Sequence, residues 1–581
     1  MARLWKFFGR FLRHKRPLFL GFLTIPIAAL LDVQITVMIG DALDRLRGAS
    51  DTEFLQALFW TVLGIAVVRG VFRYLQRWWL VCVSRYVEVE LKQDLFDQLA
   101  RLSFSFHDKS LSGDIASRLT SDVENIRMFL GPGLMYVAGA LVMVPAALFT
   151  LIGLSADLTL FMLVPLVIMG LGIQLLTPLL HRHSTAVQEK QAELSHIAQE
   201  SFGGIRVLKG YGLEGSRARR FEKASRENLG HQLDFARARG LSHAITETSH
   251  ALTFLPILLV GGLALIDRTM EVGALFKFID LTFKVFWPVI ALGWMAGLYP
   301  RALSSAERID VLLSEQPDIA DPPQPVVPHA VRGELTFERA SFTYPTGTAP
   351  ALASIDLHVP AGSMLGVVGP TGSGKSTLLG LLGRLHDPNA GAVSVDGIDV
   401  RTWSLAALRG ALGYVPQDSF LFSEPYRDNI QFGNPQPLSE QRVRELIADV
   451  CMEQEVARFP AGLDQLLGER GVTLSGGQRQ RTCIARALAR DPRVLVLDDC
   501  LSAVDTETEA RLLESLRRAG SGRTLVVAAH RLSTVMRADQ IAVLERGRVT
   551  ARGTHEELLR TSAWYRETWR MQQAREELLA S

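Results

Sequence analysis

Four things are scarce in this 581-residue chain, and the first two each remove a class of function. Cysteine is nearly missing. Cys82, Cys451, Cys483 and Cys500 stand far apart with no CxxC pair, which excludes a disulfide framework and a zinc-ligand spacing. Net charge is nearly missing too: 62 basic against 60 acidic residues leaves +2, so nothing in the overall balance draws the chain to nucleic acid. Lysine supplies only ten of the 62 basic residues, an arginine bias that reads as composition rather than function. Proline is absent from two long polar stretches, 83–127 and 181–242, so nothing there forbids helix.

Apolar runs, by contrast, are plentiful before residue 300. Six are long enough for a bilayer, which needs ~20 residues: about 17–41, 55–82, 128–153, 156–180, 243–266 and 272–300. The second and sixth carry charges that lower their hydropathy. The two long intervening segments hold six and eleven Lys/Arg, and the N-terminus is basic. Positive-inside reasoning puts the N-terminus, both segments and the C-terminal half on the cytoplasmic side of a cell membrane, with the chain multi-pass. Lys6, Arg10, Arg13, Lys15 and Arg16 interleave with Leu4, Trp5, Phe7, Phe8, Phe11 and Leu12. That pattern predicts a basic amphipathic helix lying on a membrane surface, not a cleavable signal peptide. In the first polar segment Val89, Leu91, Leu95, Leu99 and Leu102 recur at helical spacing, as expected of a spanning helix extended into the cytoplasm. Glycine-bearing breaks at Phe106–Asp114 and Gly203–Gly212 predict a short crosswise helix at the tip of each extension.

Five prolines in Glu315–Ala330 mark a linker, and from Gly333 short strands, glycine turns and helices alternate. The expected organisation is therefore a membrane α-helical bundle over 1–314, a Pro-rich linker over 315–332 and a cytoplasmic α/β nucleotide-binding domain with a phosphate loop over 333–581. "GPTGSGKST", Gly369–Thr377, follows the strand-like "MLGVV" and precedes an apolar helix. This is the context in which backbone N–H groups of Gly369, Thr371, Gly372, Ser373 and Gly374 curl round phosphates. Lys375 supplies a point charge, the Ser376 hydroxyl a Mg²⁺ ligand, and Thr377 the next helical position. "VLVLDDCLSAVD", Val494–Asp505, reads as a buried strand ending in Asp498, a second metal-side group, and Asp499. "LSGGQRQR", Leu474–Arg481, opens a helix whose Ser475, Gly476, Gly477 and Gln478 can face the phosphate of a second nucleotide.

Together these motifs resemble the ABC exporter superfamily, over nearly the full length of the chain. The resemblance implies a half-transporter that binds ATP and Mg²⁺ and pairs head to tail with a second half-transporter. It also implies that Tyr344 stacks on adenine, that Gln417 joins Ser376 and Asp498 at the metal, and that His530 meets the γ-phosphate. "GERG" (Gly468–Gly471) matches an exporter loop, Asp505 the loop that crosses the dimer, and "RGTHEELL" (Arg552–Leu559) the C-terminal pattern. Phe106–Ile126 and Gly204–Glu214 match the two coupling regions, of which the first would dock on this chain's own cassette and the second on the partner's.

One position departs from the family. Asp499 stands where the catalytic Glu belongs. Losing a methylene retracts the carboxylate by ~1.5 Å, and a misplacement of about 1 Å costs on the order of 10²-fold in rate, about 2.7 kcal/mol. The swap resembles the degenerate-site half of bacterial heterodimeric multidrug exporters, whose partner supplies the catalytic Glu. The alternatives are a homodimeric exporter or lipid flippase using Asp499 as base, and an ATP-gated, channel-like regulatory subunit. Within the spans, Asp32, Gln34, Arg69, Arg73, Arg77, Glu247, His250, Lys277, Asp280 and Lys284 are polar, and such residues pair up or face a cavity. Asp280 and Lys284, just before Pro288 and among Phe276, Phe283, Phe286 and Trp287, are expected at the translocation cavity. The cargo class is open among amphipathic drugs, lipids and peptides.

Overall fold

The computed structural model describes residues 2–46, 52–345, 347–468, 471, 473–519 and 522–580. The chain divides into two compact units: Met1–Leu99 with Ser112–Ser314, and Ala100–Leu111 with Glu315–Ser581.

The first unit is helical. Among the described residues, five helices are long and apolar enough to cross a membrane by length and composition: Leu4–Leu46, Thr52–Arg101, Ser112–Leu154, Ala156–Gly203 and Glu214–Ile266. A further long helix, Val272–Ser314, runs unbroken through Pro288 and Pro300 and carries Lys277, Asp280 and Lys284 in its first half. Helices of 48–53 residues far exceed the ~20 that a bilayer takes, so the second, fourth and fifth continue well beyond it. Two π turns, Arg118–Asp122 and Phe129–Gly133, interrupt the third. In the core, Ala147, Leu151, Met162 and Ile257 meet Phe278 and Leu281 of the sixth helix.

Two expectations change here. The N-terminal helix Ala2–Phe11 does not give its apolar stripe to lipid. Leu4, Phe7 and Phe11 are buried in the protein, and Trp5 and Leu12 are left exposed. Lys6 pairs with Asp310 at 2.5 Å and Arg10 with Asp94 at 2.5 Å, and just after the helix Arg13 and the His14 ring approach Glu90. An amphipathic pattern states that one face seeks cover, not what covers it. The second change is at Val89, which is exposed, whereas Leu91, Leu95, Leu99 and Leu102 are buried. Val87, one turn before Leu91, takes its place on the buried face.

The second unit carries two sheets. A four-stranded antiparallel sheet has the order β2-β1-β4-β5, with β1 Leu335–Phe342, β2 Leu352–Val359, β4 Ala390–Val395 and β5 Ile398–Asp399. A six-stranded sheet has the order β10-β9-β3-β8-β7-β6, built from β3 Met364–Val368, β6 Leu412–Val415, β7 Val494–Asp498, β8 Thr524–Ala528, β9 Gln540–Glu545 and β10 Arg548–Gly553. All but β10 run parallel. Strands β3, β7 and β8 are buried at every position, as parallel strands covered on both faces must be. The proline-rich stretch is tied to this unit: the Leu405 N–H donates to Asp321 at 2.6 Å, and Val326 bridges Trp403. Helix Phe104–Lys109 belongs here too, its Phe104 ring 5.9 Å from His386 and its Ser105 hydroxyl 2.5 Å from Asp318.

Candidate functional site

The carboxyl ends of β3 and β7 are neighbours across β8, and the sequence-predicted groups meet there. After β3 the chain turns through Gly369–Gly374 into helix Lys375–Leu382. Gly374 has φ +102, and a Cβ on it would lie 2.6 Å from the Ala351 carbonyl, so no other residue fits. Around Gly372 a Cβ would meet nothing within 4 Å, which leaves the mouth of the loop open. The Ser373 hydroxyl is buried with no hydrogen-bond partner among the described residues, and Thr371 nearby in the loop is exposed.

Lys375 is buried and donates to the Gly369 carbonyl at 2.9 Å and the Pro370 carbonyl at 3.1 Å. Burial lowers its pKa, while Asp499 and Asp498 act to raise it. The Ser376 hydroxyl donates to Asp498 at 3.0 Å. Burial raises the Asp498 pKa, the Ser376 bond opposes this, and neighbouring Asp499 adds to it. The loop thus presents a desolvated cation and two crowded carboxylates, an arrangement that a bound polyanion with a divalent cation would relieve. Asp499 is half-buried and has φ +46, a left-handed conformation that Asp tolerates better than most residues. Burial pushes the Cys500 thiol far up, which keeps it a bystander.

Tyr344 is half-buried; its hydroxyl lies 3.1 Å from the Thr377 hydroxyl and its ring edges onto Phe342 and His386. Gln417 is exposed in the loop after β6. His530 is exposed after β8, and its carbonyl accepts from Gln572 at 2.9 Å.

The signature stands apart in character. Ser475 is exposed and caps helix Gly476–Ala489, accepting from the Gln478 N–H at 3.3 Å while the Gln478 side chain accepts from the Ser475 N–H at 2.9 Å. That reciprocal box fixes the helix start. Gly477 lies against the loop after β7: a Cβ there would be 2.8 Å from the Ala503 carbonyl. Asp505, exposed, accepts from the Thr508 N–H at 2.9 Å, a bond that holds its carboxyl below the usual range. In the exporter loop, Glu469 and Arg470 lie outside the described residues.

Sequence reading missed two residues. Gln480 is buried and accepts from the Ala503 N–H at 3.1 Å, joining the signature helix to the loop that follows Asp499. Gln572, on the C-terminal helix, holds both the His530 carbonyl and the Leu532 N–H. No local spacing announces either.

In the helical unit a cavity of about 740 Å³ is lined by Asp32, Arg73, Arg77, Lys284, Tyr136 and Trp287 among others. Lys284 reaches it as expected. Asp280 does not line it, because its carboxylate is spent on Lys284 at 2.7 Å and on Thr36. Of the four expected aromatics only Trp287 lines it: Phe286 is buried against His250, Phe283 tilts on Phe254, and Phe276 is half-buried elsewhere. Asp32 is buried and held by Arg69 at 2.5 Å and by Arg73.

Residues 18–289 match the family described as the ABC transporter transmembrane region, and residues 352–502 match the ABC transporter family. The chain is 35% identical over 555 residues to the multidrug resistance-like ATP-binding protein MdlA of Escherichia coli, covering 94% of this chain and 92% of that protein. It is 31% identical to an ATP-dependent lipid A-core flippase of Chromohalobacter salexigens, covering 97% of each. Among solved structures, a bacterial Atm1-family ABC exporter with ATP bound superposes with a TM-score of 0.78 at 25% identity, over 96% of this chain and 99% of that one. The chain belongs to the ABC transporter family, as an exporter of the multidrug or lipid type in which a membrane domain is fused to an ATP-binding cassette that couples ATP hydrolysis to transport.

Proposed function

We propose that this chain is the degenerate-site half of a heterodimeric exporter of amphipathic compounds. It sits in the cytoplasmic membrane with both termini in the cytoplasm, its membrane domain over 1–314 and its cassette over 333–581. The observation that carries this reading is the contrast between Asp499, one methylene short of the expected catalytic Glu, and an intact Ser475–Gly476–Gly477 helix start. In this reading Tyr344 stacks on adenine. The amides of Gly369 and Thr371 to Gly374, with Lys375 and Thr377, hold the phosphates. Ser376, Asp498 and Gln417 hold Mg²⁺. The Ser376 and Asp498 oxygens lie 3.0 Å apart, so both would reach one divalent cation, which would neutralise phosphate charge there. Asp499 and His530 face the γ-phosphate of a site that binds well and turns over slowly, since nothing in its binding half is lost.

The chain's Ser475, Gly476, Gly477 and Gln478 complete the fast site, whose phosphate loop and Glu belong to the partner. A second reading, a lipid flippase that pairs with itself and uses Asp499 as base, draws on the full-length similarity to the lipid A-core flippase. Purifying the tagged chain from its native membrane tests the two. The proposal expects a second half-transporter in equal amount, carrying Glu where this chain has Asp499. A fully active complex containing this chain alone would overturn it.

A further inference from the structure

The cavity in the helical unit has an unbalanced lining. Arg73, Arg77 and Lys284 contribute three positive charges and Asp32 one negative, so 3 − 1 = +2. Asp32 has no charge to spare: Arg69 and Arg73 both bind its carboxylate. Lys284 is anchored too, by Asp280 at 2.7 Å, by the Asp32 carbonyl at 3.0 Å and by Thr36. Adding the second layer, Arg69 and Asp280, leaves the sum unchanged at 4 − 2 = +2.

Arg77 is different. It lines the cavity, it is an exposed residue, and it pairs with no carboxylate among the described residues. An ionised guanidinium within a membrane-spanning stretch is costly unless an anion or water meets it, and its planar fork suits phosphate, sulfate or carboxylate. Tyr136, Trp287, Met135 and Met143 line the same cavity and offer apolar surface to the body of such a ligand. The volume, about 740 Å³, falls within the ~300–1,000 Å³ of sites that take a drug-sized ligand.

We propose that this cavity binds amphipathic anions, with the anionic group on Arg77 and the apolar body against Tyr136 and Trp287. Cationic amphiphiles, by the same lining, are disfavoured: the one acid in the wall is already neutralised twice. The site has meaning for transport only if the chain exports amphiphiles, the reading proposed above, and equilibrium binding keeps the two failures apart.

The test uses the full chain, with any subunit that copurifies, in nanodiscs of zwitterionic lipid without nucleotide. Two fluorescent probes of equal chain length are titrated, a dansyl-labelled dodecyl phosphate and the matching dodecyl trimethylammonium. The phosphate probe is expected to bind at least about tenfold tighter, and Arg77→Gln to remove that preference. Arg77→Lys should keep most of it, and nucleotide affinity should be the same in all three proteins, which separates loss of the anion site from loss of the fold. Trp287→Ala should weaken both probes. Phosphatidylglycerol in the disc, if it competes, identifies a lipid phosphate as the natural ligand. Unchanged affinity in its presence identifies a free amphipathic anion. The assignment is overturned if the ammonium probe binds as tightly as the phosphate, or if Arg77→Gln leaves phosphate affinity intact. If the preference holds but neither probe moves across the membrane with ATP, the exporter reading fails and the binding site stands.

Discussion

The two halves of the ATP machinery in this cassette are built on opposite principles. The phosphate-loop half is interior: Lys375 is buried, its ammonium held by two carbonyls of its own loop, and Asp498 is buried at the end of β7. The signature half is exterior: Ser475 is exposed, and its helix is capped by its own residues before anything binds. A buried cation with crowded carboxylates gains from a ligand that the chain itself wraps. An exposed, pre-set helix start with a favourable dipole has no such ligand of its own and is suited to complete another site. Here the interior half carries the shortened Asp499, and the two should separate in their response to mutation.

The largest effect is expected at the exterior half. Gly477→Asp places a side chain where even a Cβ lies 2.8 Å from the Ala503 carbonyl, and it adds negative charge at the helix start that, in the proposed function, faces the partner's nucleotide. ATPase activity of the assembled transporter should fall by more than about 10²-fold. Lys375→Ala should come next, with roughly a tenfold loss, if, as proposed, ATP held at a slow site still helps the paired cassettes close. Tyr344→Ala removes the proposed adenine-stacking face and the hydroxyl contact to Thr377, and should weaken ATP binding about fivefold in a nucleotide titration without changing the fold.

The smallest effect is a pH dependence. Burial lowers the His386 pKa below its ordinary value of 6.5, with Asp108 and Asp387 opposing. The folded state therefore favours the neutral ring that Phe342, Tyr344 and Phe104 surround. Its contribution to stability is complete above the unfolded value and is lost as pH falls through the folded one. Thermal melts of the full chain should lose stability from about pH 6.5 downward, and His386→Phe should flatten that slope.

What the sequence made legible follows the same divide between near and far. The phosphate loop, the Asp498 strand and the signature each lie within a dozen consecutive residues, so spacing alone exposes them. Gln480 and Gln572 act on residues 23 and 42 positions away and carry no local pattern. The intramembrane charges could be named but not paired: Asp32 finds Arg69 and Arg73 on the next helix, and Lys284 reaches back to Thr36 on the first. Those partners are set by how the helices pack. The N-terminal helix teaches the same lesson, since its apolar stripe was plain and its cover, a protein surface with Asp310 and Asp94, was not.

The most direct measurement compares two single substitutions in the intact, purified transporter. Asp499→Asn and Ser475→Ala are assayed side by side for ATP hydrolysis. The account predicts that Asp499→Asn keeps activity within about threefold of the parent, while Ser475→Ala, remote from this chain's own phosphate loop in sequence, loses at least about tenfold. Brisk hydrolysis by the chain alone that Asp499→Asn abolishes would contradict it.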